Sequence, residues 1–373
     1  MISAGIYIHV PFCKSKCHYC NFYSIKLSEK SINCFVERII EEIKQRAVSL
    51  PRISSVYFGG GTPSLLSGSQ IRKIINAIEE VYDISNNAEI TLEANPESVS
   101  LDKVFEWKDS GVNRVSLGIQ SFSDEELKML GRVHTSEDIY KAIGSIQEAG
   151  IANISGDLIC GLPGQSMEEW QNNLVIIKSL NLPHISIYPL QIEEGTMFHK
   201  TLVESALEEI EDKMINMMQE SRKFLKENGY SHYEIANYAK DGYESKHNMI
   251  YWQYKPYIGY GPSAASFINR ARFQNVSDFS EWADSFICEE DLESRDMSVQ
   301  MAEYCFLSLR LLEIGLDKDK FSKEFGVSLD DIHGELLEKL ISYGWIIKGK
   351  NKYVLSEELI YYANQVFMEF LPS

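Results

Sequence analysis

The sequence predicts an α/β chain whose large domain is a curved or partly closed (β/α) barrel of six units, followed by a smaller domain. Three observations predict it. Six short β-branched or apolar runs recur along the first half, helix-period segments lie between them, and the polar residues that break the pattern fall just after the runs. At 373 residues with 44% hydrophobic content the chain can bury a large core, and its length suits one large domain and one small.

The runs are Ile6 to Val10, Val56 to Phe58, Ile90 to Leu92, Val115 to Gly118, Ile154 to Ile159 and Ile185 to Tyr188. After the first, Ile32, Phe35, Val36, Ile39, Ile40 and Ile43 repeat at helical spacing; after the second, Ile71, Ile74, Ile75, Ile78 and Val81 do the same. Ser67-x-x-Gln70 and Ser166-x-x-Glu169 have the capping-box form that starts a helix. Strands alternating with helices imply parallel βαβ units with right-handed crossovers.

In such a barrel the active-site groups lie at the carboxyl ends of the strands. The first run is followed by Cys13, Cys17 and Cys20, and the second by Gly59-Gly60-Gly61-Thr62-Pro63, whose glycines allow backbone approach and whose free N–H groups suit a carboxylate. The third ends in Glu93, the fourth is followed by Gln120, and the fifth holds Asp157 ahead of Gly161-Leu162-Pro163-Gly164. Each of these also has a plain reading as a loop-capping polar group. Their coincidence at one rim favours function.

The spacing C-x3-C-x2-C is the clearest chemical statement in the chain. An iron-sulfur cluster of the four-iron type has four irons to ligate, so three thiolates leave one iron open. A zinc site wants four closed ligands, and His18, cramped between the second and third thiols, is a poor fourth. Seven cysteines, an odd number, with no secretory signal argue against a disulfide framework and for a reducing compartment. Cys34, Cys160, Cys288 and Cys305 stand singly in apolar surroundings and read as core thiols. A net charge of -18 disfavours nucleic acid as substrate. No stretch reaches the ~18 apolar residues of a membrane span.

The cysteine motif with Tyr19, the Gly-Gly-Gly-Thr-Pro turn, and Glu93, Gln120, Arg132 and Asp157 in order resemble the radical S-adenosylmethionine (SAM) superfamily. More narrowly, the chain resembles the oxygen-independent coproporphyrinogen III oxidase group and its haem chaperone branch, HemW. That resemblance implies a TIM-like (β/α)6 core over 1–230, a connecting region over 231–290, and a small helical, winged-helix-like domain over 291–373, including Leu309-Arg310-Leu311. It implies a [4Fe-4S] cluster on Cys13, Cys17 and Cys20. SAM would chelate the open iron, and reduction of the cluster would cleave it to methionine and a 5'-deoxyadenosyl radical. Gly60, Gly61 and Thr62 would meet the methionine part, Tyr7 and Tyr19 would sit beside cluster and cofactor, and Glu93, Gln120, Arg132 and Asp157 would contact SAM or a second ligand. Arg132 and Asp157 also read as a structural ion pair.

Two departures separate the branches. The oxidase pattern adds a cysteine two positions after the motif, where this chain has Phe22, and the oxidase carries an N-terminal extension, where only Met1 to Gly5 precede the first strand. Both point to the haem chaperone, which implies haem as cargo, an apo-haemoprotein acceptor, an electron donor such as a flavodoxin or ferredoxin, and a cytoplasmic location with peripheral membrane association open. Coproporphyrinogen dehydrogenase activity is not expected; the oxidase itself and a haem-degrading radical SAM methyltransferase are the alternatives, and the acidic balance disfavours a tRNA-modifying enzyme. His247-Asn248-Met249-Ile250-Tyr251-Trp252 has the H-N-x-x-Y-W form associated with the chaperone branch. An imidazole is a common axial ligand of haem iron, so His247 is a candidate ligand, and an internally bonded packing residue is the other reading. Ala265 replaces the histidine that many relatives carry in the loop from Gly259 to Ser266.

Overall fold

The computed structural model describes residues 3–201 and 204–372. Its centre is six parallel strands, neighbours in chain order: β1 (Ala4–Val10), β2 (Ile53–Gly60), β3 (Ile84–Ala94), β4 (Arg114–Gln120), β5 (Asn153–Cys160) and β6 (His184–Pro189). Each holds one of the six expected runs. Along every strand alternate side chains take opposite faces. Ile6, Ile8, Val56, Phe58, Leu92, Val115, Leu117, Ile154, Leu158, Ile185 and Ile187 join one buried core. The residues between them, Tyr7, Tyr57, Glu93, Ser116, Asp157 and Tyr188, therefore share the other face.

The helices α1 (Glu29–Gln45), α2 (Gly68–Val81), α3 (Leu101–Asp109), α4 (Asp124–Met129), α5 (Ser136–Glu148) and α6 (Met167–Ser179) connect these strands. They supply the other half of that core: Phe35, Val36, Ile39 and Ile43 from α1, and Ile71, Ile74, Ile75 and Ile78 from α2. Both expected capping boxes form, Ser67 with Gln70 and Ser166 with Glu169.

The chain beyond residue 204 reads as helix-rich, yet it adds six strands to the same sheet. After α7 (Met197–Thr201) and α8 (Glu204–Glu227), β7 (Ser231–Glu234) and β8 (Asn237–Ala239) extend it antiparallel from β6. Following α9 (Lys246–Trp252), β9 (Tyr257–Tyr260) lies parallel to β1, and β10 (Ala265–Ile268), β11 (Ala271–Asn275) and β12 (Cys288–Asp291) continue outward, with α10 (Phe279–Ser285) between the last two. The order is β12-β11-β10-β9-β1-β2-β3-β4-β5-β6-β8-β7. Strands of three to five residues are too short to show a period, which is why the pattern hid them. They cover both edges of the parallel sheet.

One buried carboxylate fastens this extension to the core. Glu42 of α1 accepts the Gly261 N–H at 2.8 Å, the Trp282 Nε1–H at 3.0 Å and the Asn275 amide at 2.7 Å, and it pairs with Arg46. A second core lies in α11 (Met297–Leu309), α12 (Lys318–Phe325) and α13 (Leu329–Ser342), with the small sheet β13 (Leu316–Asp317), β15 (Lys352–Leu355) and β14 (Ile346–Lys348). Two helices followed by a hairpin give it the winged-helix outline, and Ile250 and Tyr254 join it to α9 and the turn beyond.

Candidate functional site

The cysteines sit on a loop pinned at several points. Phe12–Cys13 pairs with Ile25–Lys26, closing the loop at its base. The His18 N–H bonds the Leu130 carbonyl at 3.0 Å, its Nδ1 bonds the Met129 carbonyl at 2.8 Å, and its own carbonyl accepts the Phe198 N–H. His18 is thereby committed to holding the loop. All three thiols are free and partly exposed, and two have a donor aimed at sulfur: Thr62 Oγ1 at 3.7 Å from Cys13 and Arg132 Nη1 at 3.6 Å from Cys17. Both donors lie within hydrogen-bonding reach of sulfur. Burial pushes the Cys20 thiol up, opposed by the Phe22 backbone.

Arg132 gathers the next group. Its Nη2 donates to Asn95 Oδ1 at 2.7 Å and to the Gly118 carbonyl at 3.0 Å. Gln120 joins them, because a Cβ on Gly118 would meet Gln120 Nε2 at 3.0 Å, Asn95 Oδ1 at 3.2 Å and Arg132 at 3.3 Å. A left-handed φ of 68° at Gln120 accompanies the bulge that ends β4. Tyr19 packs beside Leu130, Leu162 and Phe198, and burial drives its phenol up while Arg132 opposes this.

The glycine turn closes the other side. Gly60 has φ of +106°, and a Cβ there would meet His9 at 2.7 Å; one on Gly61 would meet the Phe12 carbonyl at 2.6 Å. The expectation of free N–H groups is corrected for two of these glycines. Gly60 donates to Glu93 Oε2 at 3.2 Å and Gly61 to the Val10 carbonyl at 2.8 Å. Close packing against β1 is what these positions demand.

Glu93 also accepts the Tyr57 hydroxyl at 2.8 Å. Burial raises its carboxyl to about 7, helped by the nearby Asp157. Asp157 accepts from Ser116 at 2.9 Å and Ser155 at 3.0 Å, and burial raises it too. It makes no ion pair with Arg132 among the described residues; the guanidinium goes to Asn95 and Gly118 instead. Tyr7 stacks on Tyr57 with centroids 6.2 Å apart, and its hydroxyl bonds His9 Nδ1 at 3.2 Å.

His247 lies at the opposite end of the strands, on α9. Glu89 of β3 accepts the N–H groups of Lys246 and His247, each at 3.2 Å, and so caps that helix. The imidazole is 1% exposed, bonds Ser55 Oγ through Nδ1 at 2.9 Å and Tyr251 Oη through Nε2 at 2.7 Å, and stacks on Tyr57. Burial lowers its pKa to about 3. The axial-ligand reading therefore meets a physical obstacle: both ring nitrogens are spent inside the protein, and binding iron would break one of these bonds.

The Radical SAM superfamily profile matches residues 7–174. The chain is 33% identical to heme chaperone HemW of Lactococcus lactis subsp. lactis (strain IL1403), over 98% of this chain and 96% of that one. It is also 33% identical to heme chaperone HemW of Bacillus subtilis (strain 168), over 98% of each. The chain belongs to the HemW family. Coproporphyrinogen III oxidase (HemN) from Escherichia coli, a radical SAM enzyme, shares the fold, with a TM-score of 0.79 and 21% identity over 99% of this chain and 90% of that one.

Radical SAM membership of a HemW chain implies a [4Fe-4S] cluster and SAM, and the donor set at the loop fits. Three free thiols carry two hydrogen-bond donors directed at sulfur. Sequence reasoning missed two buried polar residues, Asn95 at the rim and Arg114 at the opposite end of the strands, near the Glu89 that caps α9. Asn95, which joins Arg132 to Thr62, stood two residues after Glu93; Arg114, 2% exposed and 4.0 Å from Glu89, opens β4 as a charge before an apolar run.

Proposed function

We propose that this protein binds haem and delivers it to apo-haemoproteins from a radical SAM core. The end-to-end likeness to two haem chaperones carries this reading. Phe22, 63% exposed beside Cys20 where the oxidase pattern has a fourth thiol, supports it.

Cys13, Cys17 and Cys20 hold the cluster in this reading. When bound, the cluster supplies an open iron for the amino and carboxylate groups of SAM. Arg132 and Thr62 steady the thiolates through the bonds described above. Gly60 and Gly61 let the turn pack closely on His9 and Phe12, which sets the position of Thr62 for the methionine part of SAM. Glu93, Gln120 and Asp157 offer acceptors and an amide within the buried face, and Tyr7 and Tyr19 wall it. His247 enters as the anchor of α9, for the reason its hydrogen bonds give. A flavodoxin or ferredoxin serves as electron donor, and the location is the cytoplasm, in keeping with seven free thiols. No helix among the described residues is long and apolar enough to cross a membrane.

Anaerobic reconstitution followed by parallel incubation with haem and with coproporphyrinogen III tests the reading. Stable haem binding with intact coproporphyrinogen is expected. Protoporphyrinogen IX formed at catalytic rates would sink it.

A further inference from the structure

The cysteine loop carries a charge opposite to that of the protein around it. In a chain of net charge -18, where 54 of 373 residues are acidic, no Asp or Glu occurs before Glu29. That acid-free stretch holds Lys14, Lys16 and Lys26, all exposed. None of the three joins an ion pair among the described residues.

The fold gathers these cations around the thiols. Lys26 lies opposite Cys13 in the strand pairing that closes the loop. Burial raises the Cys20 thiol, and Lys16 is among the groups close enough to oppose it. A fourth cation comes from α3: Lys103 Nζ donates to the carbonyls of Ser64 at 3.3 Å and Ser98 at 3.4 Å, and its pKa is lowered by burial and by Lys14 beside it. Two acids that approach this face are committed elsewhere. Glu106 accepts the Gly68 N–H at 3.1 Å, and Asp278, near Tyr23, caps α10 through the N–H groups of Ser280 and Glu281. Like charges gathered this way repel, and a partner of opposite sign relieves the repulsion.

Phe22 gives the patch an apolar centre. Its ring is 63% exposed, and its backbone N–H bonds the Cys20 thiol, which makes a bonded route from the surface to a cluster ligand. An exposed aromatic with charged neighbours has the make-up of a protein contact surface.

We propose that the cysteine loop, through Phe22, Lys14, Lys16 and Lys26 with Lys103 beside it, docks an acidic protein that carries one electron on a low-potential flavin. This rests on the radical SAM reading and gives its electron donor a place and a sign of charge. One electron leaves the anionic flavin hydroquinone, which becomes the neutral semiquinone, and enters at the Cys20 edge. No bond is made or broken in the step.

The test uses the full-length reconstituted protein and a purified acidic flavodoxin. Stopped flow follows cluster reduction by the flavodoxin hydroquinone, calorimetry follows binding of the oxidised flavodoxin, and photoreduced deazariboflavin is the uncharged small reductant for comparison. Raising salt from about 0.05 M to about 0.5 M should slow reduction by flavodoxin roughly tenfold. Lys14→Glu/Lys16→Glu should slow it roughly tenfold to a hundredfold and weaken binding in step, with the deazariboflavin rate unchanged. Phe22→Ala should weaken binding and keep the salt dependence. Should the charge-reversed protein lose its iron or its melting transition, Lys14→Gln/Lys16→Gln and the wild-type salt series decide instead. A flavodoxin rate indifferent to salt and to both double variants overturns the proposal alone, as does flavodoxin that neither binds nor reduces a protein that deazariboflavin reduces. Vesicles of phosphatidylserine and phosphatidylcholine that bind wild type but not Lys14→Glu/Lys16→Glu, where flavodoxin does not bind, overturn it in favour of a membrane surface. Wild type that assembles no cluster overturns the radical SAM reading with it.

Discussion

The Glu93 carboxylate accepts the Gly60 N–H at 3.2 Å, so an acid at the end of β3 holds the turn at the end of β2. Burial lifts that carboxyl to about 7. A carboxyl raised on folding contributes its stability fully below its unfolded value and loses it as pH climbs through the folded one. Metal-free protein should therefore weaken between about pH 4.5 and pH 7 relative to Glu93→Gln, by up to about 3 kcal/mol. Urea titrations at several pH values check this, and parallel curves for the two proteins would contradict it.

Arg132 places one N–H against Cys17 and two more contacts on Asn95 and Gly118. Arg132→Met strips a positive charge and a donor from the cluster's edge. The midpoint potential should fall, because hydrogen bonds to sulfur help to set it, and the metal-free fold should lose about 1–3 kcal/mol. Potentiometry followed by electron paramagnetic resonance reads the first; an unchanged potential would remove Arg132 from the cluster surroundings.

Gly61→Ala pushes a methyl to 2.6 Å from the Phe12 carbonyl, directly before Cys13. Backbone must move to relieve this, at about 1–3 kcal/mol. Lower iron content per chain after reconstitution is expected, and full four-iron loading would show that the loop tolerates the shift.

His247→Ala leaves Ser55 and Tyr251 without their shared partner and opens a hole against Tyr57. A loss of about 2–4 kcal/mol should follow. The Soret band of the haem complex should keep its wild-type position; a shift of that band would restore the imidazole as an iron ligand.

The six parallel strands were legible because each carries an apolar run backed by a helix of matching period, and Ser67 and Ser166 marked two helix starts. The rim residues were legible as strand-end irregularities. The internal commitments of His247 were not, since Ser55 lies 192 positions away in the chain and no local pattern reports a partner so remote. Nor did the glycine turn reveal that Gly60 and Gly61 spend their N–H groups on Glu93 and Val10, because a Gly-rich segment reads alike whether it greets a ligand or a neighbouring strand.

The pairing of β1 with both β2 and β9 sets a timetable for the newborn chain. From residue 60 until residue 257 is synthesised, the strand leading into Cys13 shows one bare edge, and an unpaired edge invites wrong partners. Cysteines meant for iron thus emerge well ahead of β9 and wait for it before their strand is flanked on both sides. Metal insertion on the ribosome would find a loop still lacking its support. Pulsed hydrogen exchange on stalled chains should show β1 protected only in those extending past residue 260.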